Sequence, residues 1–362
     1  MAESAATRLT IDLGALTHNH AVLRREAAGA DVSPVLKADG YGLGAGILGA
    51  RLWDDGARTF FVARLSEGEA LRTALTPDRP ATIYVLDGFT TGSGARLAAA
   101  DLTPALSTLP QVSAAQAWGA STGKHLPVAL HIDTGMNRQG VAPDQVRALV
   151  QSIDRLRGLE VGLVMSHLGS AESPQNPRNP DQLARFLEVR PLFPQARASL
   201  SASAGTFLGA DYRFDLVRPG VSLFGGGPEE RPDARLRAVA TLTAPIADVR
   251  NLRPGDILGY GDSVRIAAPT RVAVVAAGYA DGIIRAGRDG GYVWFAGARR
   301  RILIITMDLL VIDLGDAEAA PGDEVELLGP NALLDDLGKA SGSVAHEVLV
   351  RLSRRAERTY VG

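Results

Sequence analysis

The 362-residue chain contains no cysteine. That absence excludes disulfide frameworks, thiolate-held zinc, iron–sulfur clusters and any thiol nucleophile. It leaves the redox compartment open. Charge of one sign is not in excess either. The formal net charge is -2, which argues against binding nucleic acid or a membrane surface by bulk charge. Long hydrophobic runs are missing, and the best of them, residues 272–277 and 302–305, are far too short to span a bilayer. The start, Met-Ala-Glu-Ser-Ala-Ala-Thr-Arg, has no basic region followed by an apolar stretch. No secretory signal is therefore expected, and the cytoplasm is the expected location. A metal set is not visible: His18 and His20 share an expected helix but are not spaced i,i+4, and no carboxylate pair accompanies them. His125 reads as a surface residue.

Hydrophobic residues make up 46% and charged residues 22%, an ordinary globular balance that excludes disordered and collagen-like classes. At about 150 residues per domain the length suggests two domains, or a barrel of about 250 residues with a smaller partner. Short apolar runs recur at residues 32–38, 59–63, 82–86, 103–107, 127–132, 161–167, 197–201 and 216–223. Between them lie helix-like stretches such as 65–75 and 144–155, and Asn179-Pro180-Asp181 reads as a helix start. Eight β-then-α units predict an α/β chain whose first part is a (β/α)8 barrel, with the doubly wound open sheet as the competing architecture. Gly225-Gly226-Gly227-Pro228 reads as a linker. Beyond it, short runs rich in Val, Ile and Leu alternate with turn signals such as Arg253-Pro254-Gly255-Asp256 and Pro321-Gly322-Asp323, which predicts a β-rich C-terminal domain. The expected division is a barrel over 11–228 and a β-rich domain over 229–362, joined by an N-terminal strand within 1–10.

In such a barrel, chemistry sits at the C-terminal ends of the strands. Lys37 ends the first expected strand, Arg138 follows the fifth, His167 ends the sixth, Ser203 follows the seventh, and Arg218, Gly220 and Val221 lie on or after the eighth. Loops seven and eight are a frequent phosphate site of barrels. Lys37 is the sharpest of these residues. A lysine at a strand end is commonly just a solvated charge, but burial would lower its pKa and make it a nucleophile or base. The glycine-dense run from Lys37 to Gly44 fits neither a dinucleotide fingerprint nor a Walker loop.

Several segments together carry a family resemblance. Pro34-Val35-Leu36-Lys37-Ala38-Asp39-Gly40-Tyr41-Gly42 resembles the cofactor-lysine signature of alanine racemases, fold-type III enzymes that use pyridoxal 5′-phosphate. Asp133-Thr134-Gly135-Met136-Asn137-Arg138, Ser166-His167, Leu216-Val217-Arg218-Pro219-Gly220, Gly259-Tyr260-Gly261, Gly278-Tyr279-Ala280-Asp281-Gly282 and Met307-Asp308 resemble further motifs of that family, in its order and over nearly the whole chain.

The resemblance implies a homodimeric racemase, most readily of alanine and so a source of D-alanine for the cell wall. It acts on a small amino acid, with no nucleic acid or membrane partner. Lys37 would hold the cofactor and act as one base, with Tyr260 of the partner subunit as the other. His167 would pack on the pyridine ring, and Arg218 would bond its nitrogen. Tyr41, Ser203, Gly220, Val221 and Arg354 would hold the phosphate, while Arg138 and Met307 would hold the substrate carboxylate.

The chain also departs from the family. His131 stands where many members carry a carbamylated lysine, which leaves room for a bound anion or another hydrogen bond. Ala202 replaces an asparagine, Arg354 a tyrosine, and Leu303-Ile304-Ile305-Thr306 a glycine-arginine run. A serine or broad-range racemase and a non-catalytic pyridoxal phosphate-binding protein are the alternatives. A decarboxylase of this fold would need a cysteine that the chain lacks.

Overall fold

The computed structural model describes residues 7–151, 156–261 and 264–362. The chain divides into two compact units, one spanning Thr17–Leu223, the other joining the N-terminal segment through Leu16 to Phe224–Gly362.

The first unit is a parallel β/α layer. Strands β3 (Thr59–Val62), β4 (Thr82–Val85), β5 (Thr103–Leu106), β6 (Leu126–His131), β7 (Leu159–Met165) and β8 (Arg197–Ser199) form a six-stranded parallel sheet in chain order. Strands β2 (Asp31–Val32) and β9 (Leu216–Val217) pair in parallel with each other. Isolated parallel bridges, Val35 to Phe61 and Ala202 to Arg218, connect that pair to β3 and to the end of β8. Inward-facing residues from most of these strands meet in one apolar core of Val35, Phe61, Tyr84, Ala105, Ala129, Leu163, Met165 and Leu216. Phe61 stacks on Tyr84 with ring centroids 4.8 Å apart. These side chains gather on one face, which is what period-two patterning delivers when the strands lie side by side.

The helices between the strands follow local signals. Helix Leu65–Leu75 buries Gly68, Leu71 and Leu75 on one face. Helix Leu109–Thr122 starts at Thr108, whose hydroxyl accepts the Gln111 N–H, and ends at Gly123 in the left-handed region. The helix expected over 144–155 is seen as Pro143–Gln151, and residues 152–155 lie outside the described set. The helix expected after Asn179 runs over Arg178–Val189.

Two strand expectations need correction. The run 32–38 is a strand only at Asp31–Val32, and the run 216–223 only at Leu216–Val217. Each contains a proline, Pro34 and Pro219, which has no N–H to give to a ladder. The chain stays hydrogen-bonded past both: Val35 N–H reaches Pro219 O at 2.9 Å and Leu36 N–H reaches Phe61 O at 2.8 Å. From Lys37 it turns into a short helical loop, and from Val221 into a 3-10 turn, Val221–Phe224.

The second unit is β-rich. Strands β10 (Ala240–Leu252), β13 (Thr270–Val275), β14 (Tyr292–Phe295), β15 (Ala298–Ile305), β16 (Leu310–Asp313) and β17 (Glu324–Leu328) pair in the order β13-β16-β15-β14-β17-β10, and the short strands β11 (Ile257–Leu258) and β12 (Val264–Arg265) pair antiparallel with each other. The long strand β10 also pairs with β13, closing an antiparallel barrel. Strand β1 (Arg8–Asp12) pairs antiparallel with β10, and β18 (Glu357–Val361) pairs parallel with β1. The unit begins at Phe224, a few residues before the expected boundary at 228, because Gly225 and the segment after it already fold against it: a Cβ at Gly225 would strike Arg237 O.

The Gly227 N–H donates to Asp335 Oδ2 at 3.0 Å. Burial first, and then the like charges of Asp336, Glu230 and Asp233, raise the Asp335 carboxyl to about 6, while the Gly227 N–H opposes the rise. A carboxyl raised in the folded state binds its proton there more tightly than in the unfolded chain, so stability is lost as pH climbs from about 4 through about 6. Asp335→Asn keeps an acceptor for Gly227 and removes this loss. The variant is expected to gain about 2–3 kcal/mol over wild type at pH 8 and nothing below about pH 4, measured by denaturant unfolding. An equal gain at both pH values would contradict the assignment.

Candidate active site

Lys37 opens a loop of unusual backbone. Ala38, Asp39, Gly40, Tyr41 and Gly42 all adopt left-handed φ, between 53° and 82°. Non-glycine residues pay for that conformation, so it persists only where neighbours over-determine it. Here they do. Gly42 N–H bonds Ala38 O at 2.7 Å, Gly44 N–H bonds Asp39 O at 2.8 Å, and Asp39 Oδ1 accepts the Ala45 N–H at 2.9 Å. The loop carries Tyr41 inward, where it is buried. Its phenol faces Gly220 so closely that a Cβ on Gly220 would collide with the hydroxyl. Glycine at 220 is thus a packing requirement, since its φ is not in the left-handed region.

Ser203 lies on the other side of the same turn. It is buried at the start of the short helix Ser203–Thr206. Its Oγ accepts N–H groups from Gly220 at 2.9 Å and Ser222 at 3.3 Å. The buried Ser222 Oγ has no hydrogen-bond partner among the described residues.

Arg218 is the buried cation of the site. Its Nη atoms donate to Ser199 Oγ, Ser166 O and Leu200 O. No described residue accepts from its Nε. Burial lowers the guanidinium to about 10, so it stays charged at neutral pH. His167, at the end of β7, is partly buried, and its backbone O accepts from Gln182 Nε2 at 2.8 Å. Burial, then Arg218, Arg138, His131 and Lys37, hold its imidazole well below the usual value. His131 contacts Ser107 Oγ at 3.2 Å through Nδ1, and burial with Arg218 and Arg138 pushes it down to about 4. Both imidazoles are therefore neutral at pH 7. Burial and the Arg138 charge also lower the Lys37 ammonium.

Arg138 is exposed at the end of a loop tied by Asp133, whose Oδ1 accepts N–H groups from Gly135 and Met136 at 2.9 Å each and Asn137 at 3.1 Å. Arg178 Nη2 donates to Gly135 O at 2.8 Å, and Thr134 Oγ1 meets Ser166 Oγ at 2.8 Å, which fixes this loop against the one after β7. Lys37, Tyr41, Arg138, His167, Ser203, Arg218, Gly220 and Val221 thus share one end of the parallel layer. The cluster is cationic, with neutral imidazoles between its charges, and suits an anionic ligand.

The other three expected residues belong to the second unit. Tyr260 is 83% exposed between Gly259 and Gly261. Met307 is 54% exposed and so is not a core filler. It follows a backbone crossing in which Tyr279 N–H bonds Thr306 O and Ala280 N–H bonds Met307 O, both at 3.0 Å. Arg354 is exposed, and the next residue, Arg355, pairs with Asp308 Oδ1 at 2.6 Å. Sequence reasoning missed Ser199, Ser107, Gln182 and Glu67. Only Glu67 had a local signal, its place three residues into a helix, and that signal points to a helix cap.

Fold and site together define a parallel β/α layer with a cationic, hydroxyl-lined site at one end, followed by a β-rich unit. The family models "Alanine racemase, N-terminal domain" and "Alanine racemase, C-terminal domain" match residues 11–228 and 239–360. The chain belongs to the alanine racemase family. It is similar to an alanine racemase from a Methylobacterium species (42% identity, covering 98% of this chain and 97% of the relative). It is also similar to the catabolic alanine racemase of Agrobacterium fabrum (37% identity, 99% and 93%). Among solved structures it resembles alanine racemase from Bartonella henselae with covalently bound pyridoxal phosphate, at 32% identity and a TM-score of 0.92 over 99% of this chain and 100% of that one. Among the described residues, no helix is long and apolar enough to cross a membrane.

Proposed function

We propose that this chain is an isomerase that interconverts L-alanine and D-alanine with bound pyridoxal 5′-phosphate, as a homodimer. The observation that carries this reading is the closing of Tyr41 and Ser203 on Gly220, with Lys37, Arg138 and Arg218 all acting on the same His167, in a chain matched end to end by alanine racemases. We read the eight parallel strands as a closed (β/α)8 barrel. The support for closure is the pair of bridges at Val35–Phe61 and Ala202–Arg218. The barrel domain is proposed over 11–228, the span of the N-terminal family model rather than of the compact unit Thr17–Leu223, and the remainder as a domain that completes the partner's site.

The residues fit the cofactor. The missing Cβ of Gly220 lets the Tyr41 hydroxyl close onto the turn that carries Ser203 and the amides of Gly220 and Val221, and these groups are assigned as the phosphate ligands, the Gly220 N–H being lent to Ser203 Oγ in their absence. The uncommitted Nε–H of Arg218 suits a ring nitrogen that accepts, and a charged guanidinium has no proton to give up there.

Pyridoxal phosphate supplies the electron sink for a negative charge at the substrate Cα. The protein supplies orientation and protons. Lys37, with its pKa lowered, takes or returns a proton at one face of Cα. The partner subunit's Tyr260 does so at the other face. Arg138 and the backbone N–H of the partner subunit's Met307 hold the substrate carboxylate, while neutral His167 packs on the ring without adding charge. The exposure of Ile257, Tyr260, Tyr279, Met307 and Leu309 on the second unit supports a surface that a second copy covers.

Racemisation of a panel of L-amino acids with added cofactor, followed by circular dichroism, tests the reading. L-Alanine is expected to lose optical activity fastest. Faster turnover of L-serine would favour a serine or broad-range racemase, for which the departures near the carboxylate side are the grounds. No turnover of any amino acid would leave a non-catalytic cofactor-binding protein.

A further inference from the structure

The Glu67 carboxylate joins two loops at the site. Its Oε1 accepts the Ala38 N–H at 2.9 Å, the amide that immediately follows Lys37. Its Oε2 accepts the Ala63 N–H at 2.8 Å and the Arg64 N–H at 3.0 Å, at the end of β3 and the start of the next helix. One side chain thus satisfies three backbone donors on two different strand-to-helix loops. A helix cap alone would need only the last of these. The Ala38 bond also holds the first residue of the left-handed run, with φ at 53°, where an alanine does not rest unaided. The charges that face Lys37 differ in sign: Arg138 disfavours its protonated form, and Glu67 favours it.

We propose that Glu67 is a positioning residue for Lys37, fixing the backbone from which the amine projects and supplying the anion that offsets Arg138. The proposal rests on Lys37 being the cofactor lysine. Glu67→Gln keeps the shape and one acceptor oxygen, which can serve the Ala38 N–H or the Ala63 and Arg64 N–H groups but not both ends, and removes the charge. Glu67→Asp keeps the charge on an arm too short to reach both loops.

The chain has three lysines, Lys37, Lys124 and Lys339, so acylation of each by an amine reagent is readily followed by peptide mass spectrometry. In the full-length protein freed of cofactor, Glu67→Gln is expected to raise Lys37 labelling at pH 7.5 about threefold relative to Lys124 and Lys339, because more of the amine is neutral. Glu67→Asp is expected to leave the labelling pH profile near wild type while weakening retention of pyridoxal phosphate about tenfold on dialysis. Labelling of Lys37 unchanged in Glu67→Gln, with only a lower melting temperature, would overturn the proposal and reduce Glu67 to a helix cap. The underlying reading is checked separately: borohydride treatment of the wild-type holoenzyme must fix pyridoxal phosphate on the Lys37 peptide, and fixation elsewhere would refute that reading whatever the variants do.

Discussion

Lys37→Ala is expected to abolish the visible absorbance of the lysine-bound cofactor and to lower racemisation roughly ten-thousand-fold or more, the joint loss of a covalent anchor and a base. The fold should survive. Lys37 is only partly buried, and the loop after it is held by Glu67, Asp39 and backbone bonds that do not involve its side chain. The expected phenotype is therefore a folded protein that loses its cofactor on dialysis, since the phosphate cradle around Gly220 remains but nothing anchors the aldehyde. Absorbance spectra and activity at saturating cofactor check this together. A variant that keeps the wild-type spectrum would remove Lys37 from its role and with it the whole site assignment.

Tyr260→Phe is expected to act on one direction of proton exchange. If Lys37 serves one face of Cα and the partner subunit's Tyr260 the other, loss of the phenol should slow exchange from L-alanine roughly 10²- to 10⁴-fold and exchange from D-alanine much less. Incorporation of solvent deuterium at Cα, measured from each enantiomer separately, reads both directions. Stability should change little, within about 0.5 kcal/mol, because Tyr260 is 83% exposed. Equal loss from both enantiomers would contradict the two-base assignment. A normal melting temperature alongside the asymmetric loss separates chemistry from unfolding.

The two tests differ in what they rest on. Lys37 stands beside residues whose contacts are all within one unit, so its surroundings can be described bond by bond. Tyr260 stands on a turn of the other unit, and its assignment comes from the family and from an exposure that its own unit does not account for. The eight strand-like runs could be read along the chain because each needs only an alternation of a few residues. The ends of the first and eighth runs could not, because Pro34 and Pro219 interrupt the ladder while the backbone continues straight through partners far away in sequence.

By itself the sequence determined the order of the units and the absence of thiol chemistry, since these depend on residue type and local spacing, and its family motifs named the residues proposed to carry the cofactor. Zero cysteines already denied the chain a thiol beside the substrate, and Thr306 stands just before Met307 instead. Only the tertiary structure decided which neighbours tune those residues. That Glu67 reaches the amide after Lys37, that Ser203 receives the amides of Gly220 and Ser222, and that burial, with Arg218 and Arg138, keeps His131 and His167 neutral all depend on loops brought together by strand pairing. Charge and hydrogen bonding act through distance in space, and the chain acquires those distances only when it folds.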